Sequence, residues 1–199
     1  MRYLKMMGLL AVAAVAMMAF FGAGSASAQT VIQTTEGGAS DEYTGVIESS
    51  LETGTSAILK DTAGGVNDTC NTSAVKGTVE TNNNTSAGGK ISKLEFGGCS
   101  HTTDVLANGE LEVKQIGTGT TGTVVSKGAR VTIKSTIFGL SCVANTGAGT
   151  TIGTITSAGS PTAHATMHIN GVITLENGCG DSTWTGSYTV TSPTGLDIV

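Results

Sequence analysis

Between Cys179 and Thr194 the chain alternates apolar and hydroxyl side chains with a period of two. Trp184, Tyr188 and Val190 fall at even steps with Gly186 among them, and Thr185, Ser187, Thr189 and Thr191 fill the odd steps. That spacing predicts a strand with one apolar and one hydroxyl face, ended by Pro193. The same period recurs upstream. Leu94 and Phe96 share a face opposite Lys93 and Glu95. Val131 and Ile133 alternate with Arg130, Thr132 and Lys134. Ala163, Ala165, Met167 and Ile169 oppose His164, Thr166, His168 and Asn170. Further strands are expected over 43–48, 55–60, 70–80, 121–125, 140–144, 150–156 and 196–199.

Turn signals punctuate these runs. Asn108-Gly109, Lys127-Gly128, Asn170-Gly171 and Asn177-Gly178 each predict a reversal between strands. The polar run from Thr81 to Gly89 reads as an exposed, mobile loop. No helical period appears outside the first residues. Ten to twelve short strands at close spacing predict an all-β fold, an antiparallel β-sandwich of Greek-key type. A membrane barrel is disfavoured because the strands look shorter than the roughly 9–11 residues that span a bilayer.

The amino terminus has a different pattern. Arg2 and Lys5 precede an apolar stretch from Met6 to Phe21, and Ala26-Ser27-Ala28 supplies a small-residue cleavage site. Residues 1–28 therefore read as a cleaved signal peptide, which implies export. Residues 29–42 read as a tail or edge strand, and 43–199 as a single domain. Cleavage removes two of the ten basic residues and none of the fifteen acidic ones, so eight remain against fifteen and the net charge becomes −7. A net acidic chain without a basic cluster argues against nucleic acid and anionic lipid as partners. No apolar run after residue 28 approaches a membrane span.

Four cysteines in an exported chain read as two disulfides. Three pairings are possible. Leu94-Glu95-Phe96-Gly97-Gly98-Cys99 is similar to Leu175-Glu176-Asn177-Gly178-Cys179, so each cysteine closes a similar unit opened by an earlier one. This internal similarity favours Cys70 with Cys99 and Cys142 with Cys179.

Candidate chemistry is sparse. His164 and His168 on one strand lie roughly 13 Å apart at 3.3 Å per residue, too far to share a metal. Ser100, His101 and Asp104 carry triad identities without triad spacing. Cys99 with His101 suits copper or zinc only as a free thiol. Asn67, Asn71, Asn83 and Asn84 match glycosylation acceptors, meaningful only in a host that glycosylates. No catalytic residue, metal site or cofactor is expected.

Cys70, the Lys76 to Val79 strand, Ile91 to Cys99 and the closing Trp184 to Thr194 together resemble a group of secreted bacterial β-proteins of unknown function. A fainter similarity is to exported activators of alkane oxidation. The resemblance implies a secreted β-fold. Two expectations follow. The first is a non-enzymatic cell-surface or matrix protein able to self-assemble, with Thr-rich strands pairing edge to edge. The second is a module holding an apolar small molecule between its sheets, with Phe96, Phe138, Trp184 and Tyr188 lining a cavity instead of filling a core.

Overall fold

A computed structural model describes residues 31–36, 41–61, 67–83, 85–134, 139 and 141–199. The expected signal peptide lies outside them. The described residues form β1 (Ile32–Thr34), β2 (Asp41–Glu42), β3 (Val46–Leu51), β4 (Ala57–Asp61), β5 (Asn67–Thr78) and β6 (Thr81–Asn83). There follow β7 (Ser86–Cys99), β8 (Thr102–Ala107), β9 (Glu110–Gln115), β10 (Thr121–Lys127) and β11 (Arg130–Lys134). The last are β12 (Ser141–Asn145), β13 (Thr150–Thr156), β14 (Thr166–Glu176), β15 (Gly180–Ser192) and β16 (Leu196–Ile198). No helix is present among the described residues, and none is long and apolar enough to cross a membrane.

All-β architecture and both disulfides stand as expected, with Cys70 bonded to Cys99 and Cys142 to Cys179. Such bonds persist in an oxidising compartment outside the cytoplasm. The sandwich does not stand. The main sheet closes on itself through β15–β4–β5–β7–β9–β10–β13–β14 and back to β15, an eight-stranded barrel. The reason lies in strand length. β5, β7, β14 and β15 run for 12, 14, 11 and 13 residues, long enough to take different partners along each half. On β15, Ser182–Thr185 pairs with β4 while the far end, from Tyr188, pairs with β3. On β14, Thr166–Ile169 pairs with β13 and Thr174–Glu176 with β12, from which β11 and β8 branch away. Pairing on both edges leaves a strand no free edge, so the sheet closes instead of stacking.

Four turn expectations are corrected. Asn170-Gly171 makes no turn, because β14 passes straight through it. A Cβ on Gly171 would lie 2.6 Å from Ile152 Cα and 3.0 Å from the Thr151 carbonyl oxygen, so this glycine admits the neighbouring backbone. Lys127-Gly128 and Asn108-Gly109 each join two strands that do not pair with each other, since β10 pairs with β9 and β13, β8 with β11, and β9 with β7 and β10. The polar run from Thr81 contains β6, which pairs with β7. Within it Asn82 donates to the carbonyls of Ile32 (2.7 Å) and Tyr43 (2.9 Å) and accepts from Ile32 N–H (2.9 Å). By contrast, Asn177-Gly178 turns as expected, with φ of 65° and 76°.

The crowding at Gly171 sets a test. Gly171→Ala forces the β13 backbone to move and is expected to cost about 1–3 kcal/mol, as overpacking does. Asn170→Ala, on the exposed face beside it, is expected to change stability by less than about 0.5 kcal/mol. Denaturant titration of both variants checks the contrast, and equal stability would refute the close-approach role.

Apolar side chains fill the barrel. Ile32, Val124, Ile152, Met167, Tyr188 and Ile198 belong to the largest cluster, and Leu59, Ile133, Cys142, Ile173 and Leu175 to a second. β1, β2 and β16 form a separate small sheet that buries Ile32 and Ile198 against the first cluster. Four strands are longer than expected and reach spanning length, so length no longer speaks against a membrane barrel. The exterior does. The outward positions of β14 are Thr166, His168, Asn170, Val172 and Thr174, whereas a spanning barrel carries an apolar outer band.

Candidate functional site

Among the described pairings, the facing edges of β7 and β8 are left without partners. β7 pairs with β5 between Ile91 and Cys99 on one edge. On its other edge it pairs with β9 over Ala87–Lys90 only. β8 pairs with β11 alone. A groove of about 570 Å³ crosses residues 94–97 of β7, with Thr103–Val105 of β8 on one side and Thr72–Ala74 of β5 and Ser50 of β3 on the other. Leu94, Phe96, Thr103 and Val105 are among the residues lining it.

Both ends of this groove are pinned. At one end Asp68, buried to 2% exposure, accepts from Ser100 Oγ (3.0 Å), from His101 N–H (3.0 Å) and from Thr103 Oγ1 (2.5 Å). A buried carboxylate needs such donors, and here they hold the corner between β7 and β8. At the other end Ile91 N–H donates to the Gly109 carbonyl (3.0 Å), and Asn108 Nδ2 donates to the Ser92 carbonyl (3.0 Å). The Asn108-Gly109 turn, with φ of 74° at the glycine, thus closes the opening that β8 leaves.

Beneath the groove Phe96 and Trp184 meet edge to face, with ring centroids 6.1 Å apart. The void they help line holds about 50 Å³ and is also walled by Leu94, Val131, Ile133 and Ile173. A second void of about 80 Å³ lies among Ile32, Val79, Val113 and Met167. Tyr188 is 1% exposed and belongs to the core. Its hydroxyl donates to Ser73 Oγ at 3.0 Å. Burial pushes its pKa up to about 12, against the pull of hydrogen bonds with Ser73 and the Trp184 side chain. Of the four expected aromatics the structure brings Phe96 and Trp184 together and seats Tyr188 in the core. Phe138 lies outside the described residues. Comparison of the chain with protein-family models, with curated proteins and with solved structures finds no match.

The other candidates do not converge. Ser100 bonds Asp68, Asp104 pairs with Lys134 at 3.1 Å, and His101 Nδ1 faces the Ser100 carbonyl at 2.9 Å. His164 sits off the strand, its Nδ1 2.6 Å from the Val190 carbonyl, while His168 is exposed on β14 beside Ser187 Oγ. Asp68, Cys70 and Cys99 are the one metal-type grouping among the described residues, but both sulfurs are bonded to each other.

A second feature is the outer face of β10, β13, β14 and β15. Thr121, Thr156, Thr166, Thr189 and Ser50 are successive cross-strand partners and form one row. Thr123, Thr154, His168 and Ser187 form the next. Between Ser141 and Ser192 the only charged residues are Glu176 and Asp181, both near one end of the β14–β15 hairpin. The alternation over 179–194 announces part of this face. Its continuation across strands depends on pairings that are distant in sequence.

Proposed function

We propose that this is an exported, non-enzymatic cell-surface or matrix protein that works by surface contact, with copies associating through the hydroxyl face of β13–β15. The observation that carries the reading is that row of aligned threonines, on a face of β13–β15 whose only charges, Glu176 and Asp181, lie near one end. A mature chain of net charge −7 repels its copies, so approach is least costly where charge is missing. Val172, 58% exposed, stands on the same face and adds apolar area. Closure removes most of the edges on which edge-to-edge fibres depend, so contact here is face to face. An apolar guest inside the barrel has only voids of about 50 and 80 Å³ to use, whereas ligand pockets for drug-sized molecules run to about 300–1,000 Å³.

Sedimentation velocity over a hundredfold range of mature protein concentration tests the reading. The expected result is a mass that grows with concentration. The double variant Thr156→Lys, Thr166→Lys is expected to stay monomeric and folded. A wild-type monomer throughout, or an unaffected double variant, would overturn it.

A further inference from the structure

The two similar corners of the chain end differently. After Leu175-Glu176-Asn177-Gly178-Cys179, β15 returns along β14 from the first residue, with Gly180 opposite Leu175, Asp181 opposite Thr174 and Ser182 opposite Ile173. After Leu94-Glu95-Phe96-Gly97-Gly98-Cys99, β8 does not return along β7. It turns instead to β11, pairing Val105 with Val131 and Thr103 with Ile133. Among the described residues, the edge that β15 fills on β14 is therefore left unfilled on β7.

We propose that this groove is a strand-addition site, taking an extended, uncharged, Ser/Thr-rich segment of a partner chain against the edge of β7. This is separate from self-association through the hydroxyl face and does not depend on it. Backbone N–H and C=O groups on an unpaired edge are a template for another strand. The size fits. One residue of a sheet fills about 3.3 × 4.8 × 10 Å, or about 160 Å³. The groove of about 570 Å³ also runs over Thr72–Ala74 and Ser50, so the part beside β7 and β8 takes at most three to four residues.

The chemistry of the guest follows from the walls and from β15, its counterpart. Inward-facing guest residues meet Leu94, Phe96 and Val105 near the core, where a large side chain has no room. The counterpart position on β15 is Ser182, which is fully buried. Outward, the rim charges are already matched, Lys93 with Glu95 at 2.7 Å and Lys134 with Asp104 at 3.1 Å. A charged guest finds no partner there without breaking one of these pairs, and a guest rich in hydroxyls does not need one.

A synthetic peptide with the 182–187 sequence but serine in place of Trp184, Ser-Thr-Ser-Thr-Gly-Ser, is the probe, titrated into the oxidised mature protein and followed by amide NMR. Shifts are expected at 93–98 and 102–107, together with slower hydrogen exchange there. N-methylation of alternate peptide amides removes backbone donors while keeping the side chains. The analogue methylated on the edge-facing amides is expected to bind at least about tenfold more weakly, the loss that one or two hydrogen bonds bring. Three results would each overturn the proposal: no shift at millimolar peptide, shifts confined elsewhere, or equal binding by both N-methylated analogues. Exchange in the free protein is an independent check. If amides 93–98 on the groove side are as protected as those paired with β5, the edge is not open and the site does not exist.

Discussion

Removing both disulfides is expected to unfold the protein at 37 °C. Cys70 and Cys99 are 29 residues apart, and Cys142 and Cys179 are 37 apart. In the chain-entropy account each loop of that size constrains the unfolded chain by about 4 kcal/mol. Together they contribute about 7–8 kcal/mol, against a total stability of about 5–15 kcal/mol for an ordinary domain. Cys70 and Cys99 lie directly opposite each other on β5 and β7, at the corner held by Asp68. Cys142 is fully buried in the cluster with Ile133, Ile173 and Leu175. Single-bridge variants, Cys70→Ala with Cys99→Ala or Cys142→Ala with Cys179→Ala, are expected to stay folded with lowered denaturation midpoints. The Cys142 pair should be hit harder, because it also opens a cavity in that cluster. Circular dichroism during denaturant titration, with and without reductant, measures this. A fully reduced protein as stable as the oxidised one would contradict it.

What the chain announced and what it concealed divide along the distance between interacting residues. Trp184, Tyr188 and Val190 do face inward, and Thr185, Ser187 and Thr189 outward, because a strand's side-chain period is local. The cysteine pairing was legible because two similar corners repeat. Closure was not. Nothing in the alternation of β15 says that its two halves take β4 and β3 on one edge and β14 on the other. Gly171 shows the same limit. Asn-Gly is a turn signal only when the chain must reverse, and here the glycine answers to Ile152 of another strand. The groove was hidden for a related reason. Two corners with nearly the same sequence open into different ladders, since β8 pairs with β11, a strand distant in sequence from β7's own corner. The candidate aromatics were visible as a set, but only pairings across the barrel separate Phe96, at the groove, from Tyr188, in the core.

Tyr188 supplies the second large effect, and its sign changes with pH. Tyr188→Ala empties the most bulky fully buried position of the core and is expected to cost about 3–5 kcal/mol, as other large aromatic truncations do. Tyr188→Phe keeps the ring and removes only the hydroxyl. At pH 7 it is expected to cost about 1 kcal/mol, because Ser73 Oγ loses its donor. At high pH the order reverses. The phenol of Tyr188 holds its proton up to about pH 12 in the folded chain, while an unfolded tyrosine releases it near pH 10. Below pH 10 both states carry the proton, and stability is intact. Between pH 10 and 12 only the unfolded state releases it, so unfolding is favoured progressively, by up to about 3 kcal/mol for a shift of two pH units. Tyr188→Phe escapes that loss. Tyr43 also titrates high, from burial and the nearby Glu36, but it is common to both proteins and cancels in the comparison. Denaturation midpoints measured side by side should therefore cross, with the wild type ahead at pH 7 and Tyr188→Phe ahead near pH 12. Curves that stay parallel would mean that this phenol is solvated, and that the barrel around it is not closed.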